Sequence, residues 1–287
     1  MFLDSEASSA AFPKVNGMAI VQSGFSTHGS KHELRRHETS MEDNTRGYDR
    51  KRGDSVMISA VIPVYNEQEV IDEFATRLVK SLEHTVPDYE IIFMVEGTDA
   101  TEERLESLAG RNPRVKVFYN PKRLGLGPAT KRGLQLIDPR TDCVLIMDAD
   151  LNHQPEEIGR LLKVSSQADI VVGSRSREHG LVSELPFFKR VVSGSTNWVL
   201  RNAFRIPCSD VTSGFRLYSA KTIKVIRDRL VSKNFEVTAE ILIRAKKQGY
   251  SITEVPITFT RRPRGKSKLS FIKSGVGYGI LLLRLGY

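Results

Sequence analysis

Two carboxylates one residue apart, Asp148 and Asp150, sit in the run Met147-Asp148-Ala149-Asp150-Leu151-Asn152-His153. At spacing i, i+2 on a loop they can share one hard cation. Mg²⁺ and Mn²⁺ suit such oxygen ligands, keep several waters and bridge to substrate phosphates. Ala149 between them lets a ligand approach closely. An Asp-x-Asp pair alone is common in acidic loops. This one follows the apolar run Cys143–Met147 and precedes Pro155, a residue suited to the first turn of a helix. The pair therefore stands at a strand-to-helix junction, where α/β sheets bind ligands. His153 reads as a loop histidine beside the pair before it reads as a metal ligand, because no second histidine stands near it in sequence.

Two further motifs have chemistry to offer. Pro63-Val64-Tyr65-Asn66-Glu67 ends an apolar run. Its aromatic ring can stack on a base, and its carboxylate can accept from ribose or base. The plainer reading is a helix start, with Asn66 as cap and Glu67 in the first turn. Arg262-Pro263-Arg264-Gly265-Lys266-Ser267-Lys268 gathers cations around one glycine. Arginine forks onto phosphate oxygens and lysine acts as a point charge, so this is a phosphate clamp. A nucleic-acid patch or a nuclear signal has the same composition. Gly125-Leu126-Gly127 is neither a G-x-G-x-x-G fingerprint nor a Walker loop, and reads as a turn opening a helix. No Gly-x-Ser-x-Gly elbow and no His-Glu-x-x-His occurs, which leaves hydrolase readings without a foothold.

The elements that must position these residues follow from the hydrophobic pattern. Apolar runs at Val56–Val64, Tyr89–Val95, Val115–Tyr119, Cys143–Met147 and Asp169–Gly173 predict strands. Between them, helical spacing predicts helices over Glu67–Leu82, Asp99–Ala109, Gly127–Ile137 and from Pro155 to Val164. This alternation implies an α/β fold with a mostly parallel sheet covered on both faces. Beyond Gly180 the pattern predicts a helix over Phe187–Phe204 and an extended segment over Asp210–Tyr218. Helices over Ala220–Arg229 and Phe235–Gln248 and a strand over Ser251–Thr260 follow. The basic loop and an apolar helix close the chain.

Bulk composition narrows the class. The 287 residues allow one large domain, and 40% hydrophobic with 27% charged residues fit a globular chain. Residues 1–54, rich in Ser, Gly and charge, read as a disordered leader, with no signal peptide visible. The two cysteines, Cys143 and Cys208, provide no disulfide framework, so a reducing compartment is expected. Net charge is +9, and seven of those charges fall within residues 255–287, which hold no acidic residue. A basic block interleaved with apolar residues suits phosphate or an acidic membrane surface. No run reaches the roughly 18–20 apolar residues that span a bilayer. The final segment, 269–287, reads as an amphipathic interfacial helix.

In this order and spacing the motifs resemble the family 2 glycosyltransferases of GT-A fold, and among them the dolichol-phosphate mannose synthases and related polyprenyl-phosphate hexosyltransferases. The likeness rests on Pro63-Val64-Tyr65-Asn66-Glu67, Leu124-Gly125-Leu126-Gly127, Asp148-Ala149-Asp150-Leu151, Gly173-Ser174-Arg175, Ser213-Gly214-Phe215-Arg216-Leu217-Tyr218 and Gly265-Lys266-Ser267-Lys268-Leu269. It implies a GT-A (Rossmann-like) catalytic domain over 55–268 and an inverting, Mg²⁺- or Mn²⁺-dependent enzyme. Pro63, Tyr65, Glu67, Met94, Glu96, Asp148, Ala149 and Arg216 would hold the nucleotide. Asp148 and Asp150, with Asn152 as a further ligand, would hold the metal. Asp150, Arg175, Arg262 and Lys268 would act at the phosphates.

The partners implied are a nucleotide-sugar donor, a polyprenyl or dolichyl phosphate acceptor and the cytoplasmic face of a membrane. Some relatives add a small membrane-protein partner. Nothing beyond the basic terminus asks for nucleic acid. GDP-mannose is the favoured donor and UDP-glucose the alternative. The reason for keeping both is a departure from the family: Val95 and Glu96 stand where two aspartates are usual after the second strand, with one residue fewer before Asp99. The same change is the only support for a non-catalytic nucleotide-binding module.

Overall fold

The computed structural model describes residues 56–175, 187–264 and 271–285. The expected leader and Lys266 and Lys268 of the basic loop lie outside them. In chain order the elements are β1 (Met57–Tyr65), α1 (Ile71–Thr85), β2 (Asp88–Glu96), α2 (Thr101–Ala109), β3 (Val115–Asn120), α3 (Leu126–Gln135) and β4 (Cys143–Ile146). A 3₁₀ turn at Pro155–Glu157 leads into α4 (Ile158–Lys163). Then come β5 (Ile170–Ser174), α5 (Phe187–Phe204), β6 (Arg216–Ser219), α6 (Ala220–Ile226), α7 (Val237–Lys247), β7 (Ile252–Pro256) and α8 (Phe271–Leu285).

The strands form one seven-stranded sheet in the order β3-β2-β1-β4-β6-β5-β7. All neighbours are parallel except β6, which runs antiparallel to β4 and β5. Parallel strands buried on both faces need continuous apolar runs, which is what β1 and β2 present. Alternation along β1 divides the two layers. Ile58, Ala60, Ile62 and Val64 join Phe74, Leu78 and Leu82 of α1 in one core. Val61 turns the other way, onto α3, where Gly133 is needed because a Cβ would press into Val61 and Met94. Each such buried leucine or phenylalanine contributes about 1.5–3 kcal/mol of transfer free energy.

The fold class read from the sequence holds, and the differences lie at element ends. Helix α1 starts at Ile71, four residues after Glu67. Asn66 adopts φ 51, and its Oδ1 accepts from the backbone N–H groups of Thr98 and Asp99, at 3.0 and 3.4 Å. It therefore ties the end of β1 to the loop after β2 and does not cap α1. Strand β7 ends at Pro256, short of Thr260. The next residues cross to the acidic loop: His153 pairs with Phe259, and Thr260 N–H donates to Asn152 O at 2.9 Å. That crossing delivers the start of the basic loop to the carboxyl ends of β1 and β4.

Candidate active site

Strand β4 ends at Ile146, and Asp148 and Asp150 follow at once. Leu151, at φ 60, turns the chain, and its carbonyl accepts from Thr260 Oγ1 at 3.1 Å. Asp150 is held on several sides. Asn152 donates from its backbone N–H (3.1 Å) and its Nδ2 (3.0 Å), and Arg262 Nη2 from 2.8 Å. Arg262 Nη1 also reaches Glu67 Oε2 at 3.2 Å. The acidic pair, the β1 motif and the basic loop thus meet around one guanidinium. Gly214 backs Asp148 so closely that a Cβ there would overlap the carboxylate. Burial, then the neighbouring Asp150 charge, pushes the Asp148 carboxyl up to about 7.

A divalent cation fits this donor set. Two carboxylates crowd one place, and among the described residues Asn152 Oδ1 is buried without a hydrogen-bond partner. No group of three or more His, Cys, Asp or Glu among the described residues forms a closed metal cage. Mg²⁺ in particular is commonly held by one or two carboxylates and completed by substrate phosphate and water.

Arg175 follows β5. It forks onto Asp210, with Nε–Oδ2 and Nη2–Oδ1 both 2.6 Å, and also donates to Thr212 Oγ1 at 2.9 Å. Its guanidinium lies 5.3 Å from the centre of the Phe259 ring. Burial alone would raise Asp210, but Arg175 holds it down at about 2. Asp210 and Thr212 carry no motif signal in the sequence, and only the fold shows that they orient Arg175.

On the β1–β2 side, register pairs Tyr65 with Glu96. The Tyr65 ring is faced by the Arg123 guanidinium at 4.1 Å, a contact the sequence did not suggest. Glu96 is buried. Its Oε2 accepts from the backbone N–H groups of Leu124 and Gly125, each at 3.1 Å. Among the described residues its Oε1 has no partner. Burial raises its pKa against the pull of those two N–H donors. Pro63 lines a small cavity together with Asp148, Ser213 and Gly214. Ala149 is buried in the core cluster beside the pair.

Two residues expected at the nucleotide, Arg216 and Met94, are buried in the protein interior. Arg216 is 1% exposed and spends its Nη donors on the carbonyls of Thr238 and Val211. It braces the loop that carries Asp210 and Thr212. Met94 packs inward beneath α3, against Gly133. Lys268 lies outside the described residues.

The sequence profile described as "Glycosyl transferase family 2" matches residues 59–226. An undecaprenyl-phosphate mannosyltransferase of Micrococcus luteus is 32% identical over 216 residues, covering 74% of this chain and 87% of that protein. A polyprenol monophosphomannose synthase of Mycolicibacterium smegmatis is 35% identical over 215 residues, covering 73% and 80%. Among solved structures, the glucosyl-3-phosphoglycerate synthase of Mycobacterium tuberculosis with phosphoglyceric acid aligns at a TM-score of 0.60 and 20% identity, over 81% of this chain and 80% of that one. The same synthase with Mn²⁺, UDP-glucose and glycerol 3-phosphate aligns at 0.56 and 20% identity, with the same coverage. At that identity the structural likeness speaks for the fold alone. The profile match, the two mannosyltransferase relatives and the acidic pair at the end of β4 together place the chain in glycosyl transferase family 2.

Proposed function

We propose that this chain transfers a hexose from a nucleotide sugar, mannose from GDP-mannose, to the phosphate of a polyprenyl or dolichyl phosphate, with inversion at the anomeric carbon. The observation that carries this reading is the meeting of Asp150, Glu67 and Arg262 at one point. Two relatives named for polyprenyl-phosphate mannose transfer support the acceptor.

Asp148, Asp150 and Asn152 would hold Mg²⁺ or Mn²⁺. When bound, the ion would neutralise the diphosphate and stabilise it as leaving group. Arg262 and Arg175 add fixed positive charge beside the same phosphates, Arg175 aimed by Asp210. Lys268, with Arg262, belongs to the clamp in this proposal. Tyr65 and Glu96 would receive the base, with Arg123 over the Tyr65 ring. The acceptor phosphate, with a second pKa near 6, is largely dianionic at neutral pH. It needs no general base, so the task of these residues is positioning and electrostatic stabilisation. A base edge presents hydrogen-bond donors, and among the described residues Glu96 Oε1 is an acceptor without a partner. That feature keeps UDP-glucose open as a second donor.

The reaction would take place at the cytoplasmic face of a membrane, with the protein bound peripherally. No helix among the described residues is long and apolar enough to cross one. Helix α8 instead exposes Val276, Ile280 and Leu283, at 59%, 46% and 72%, along one face. The surrounding terminal segment carries seven Lys/Arg and no Asp/Glu, which complements an anionic lipid surface.

A transfer panel tests the reading: radiolabelled GDP-mannose and UDP-glucose, each with polyprenyl phosphate and Mn²⁺. Lipid-extractable label from GDP-mannose, lost in Asp150→Ala, is expected. Label from UDP-glucose alone would replace the donor. Transfer that persists in Asp150→Ala would overturn the role of the acidic pair.

A further inference from the structure

His153 closes the acidic loop, and the mechanism above makes no use of it. It is 1% exposed. Its backbone is fixed by the bridge to Phe259, and its ring lies against Phe215 and Phe259, with centroids 5.7 and 5.2 Å away. Among the described residues neither ring nitrogen has a hydrogen-bond partner. In either protonation state the imidazole carries at least one ring N–H.

An unpaired buried donor costs on the order of 1–3 kcal/mol. A side chain kept only to fill space between two phenylalanines would be apolar and avoid that cost. Asp148 supplies the reason for an imidazole. Its Oδ2 lies 3.9 Å from Nδ1, about 1 Å beyond a hydrogen bond. On another side the Gly214 backbone stands so close that a Cβ there would overlap the carboxylate. Asp148, its side chain 39% exposed, thus has a backbone wall on one side and a ring with a donor to offer on another.

We infer that His153 is a positioning residue: its ring N–H donates to the Asp148 carboxylate and sets the orientation in which Asp148 meets a divalent cation. Carboxylate ligands are themselves commonly hydrogen-bonded, and removing such a partner typically costs 10–100-fold in metal affinity. This rests on the reading of the acidic loop as a cation site.

The test is the affinity for Mn²⁺ alone, followed by the electron paramagnetic resonance signal of the free ion, in wild type, His153→Met and His153→Gln. Methionine has similar bulk and no donor, and glutamine restores an N–H. About a tenfold loss is expected in His153→Met, with His153→Gln within about threefold of wild type. Wild-type affinity in His153→Met overturns the inference, as does an equal loss in both variants. Pulsed resonance on wild type needs no variant. A directly coordinated imidazole nitrogen would make His153 a ligand and also overturn it. A wild type that binds no Mn²⁺ refutes the cation site itself, a separate outcome.

Discussion

Replacing Asp210 with asparagine keeps the side chain's shape and removes its charge, leaving Arg175 without its carboxylate. The pair is enclosed, with both nitrogen–oxygen contacts at 2.6 Å. The Asp210 carboxyl falls from an ordinary 3.8 to about 2, against the burial that opposes it. At about 1.4 kcal/mol per pKa unit, the charged form contributes roughly 2–3 kcal/mol to folding. The sign follows from the depressed folded pKa. The contribution is fully present above the unfolded value near 4, and is lost as pH falls toward 2. Denaturant unfolding of wild type and Asp210→Asn at pH 7, 5 and 3 measures it. The expected gap is about 2–3 kcal/mol at pH 7 and 5, narrowing at pH 3. Transfer activity should fall by one to two orders of magnitude, since a misplaced charge of about 1 Å has that effect. A gap below about 0.5 kcal/mol at pH 7, or one that does not change with pH, would refute the assignment of Asp210 as the anchor of Arg175.

Three other outcomes follow from the same geometry. Gly214→Ala forces a Cβ into the Asp148 carboxylate; overpacking should cost about 1–3 kcal/mol in unfolding and weaken Mn²⁺ binding. Arg216→Met strands the carbonyls of Thr238 and Val211, with an expected loss of about 2–4 kcal/mol in thermal or denaturant unfolding; a raised donor KM at unchanged stability would instead make it a nucleotide contact. Ile280→Glu with Leu283→Glu on the exposed face of α8 should abolish flotation with vesicles containing phosphatidylserine while leaving the unfolding midpoint within a few degrees of wild type; flotation equal to wild type would remove α8 from the membrane contact.

The sequence by itself determined the layer architecture and the place of the acidic pair. Continuous apolar runs separated by helical spacing permit little besides a parallel sheet, and Asp148 and Asp150 follow one such run directly. These are short-range signals, and a reading over ten residues captures them. It also marked Glu67 and Arg262 as separate candidates, with Asn66 drawn to a cap that proved to be a tie across two loops. Only the tertiary structure decided which charges meet. Arg262 lies 195 residues from Glu67 and 112 from Asp150, and they join because residues 257–260 leave the sheet and cross to the acidic loop. Arg175 and Arg216 look alike in sequence, each beside a strand end. One is turned to Asp210 and the other buried on backbone carbonyls, because the antiparallel insertion of β6 between β4 and β5 faces Arg216 inward. Pairing at that distance depends on which surfaces pack together, and local residue spacing does not encode it.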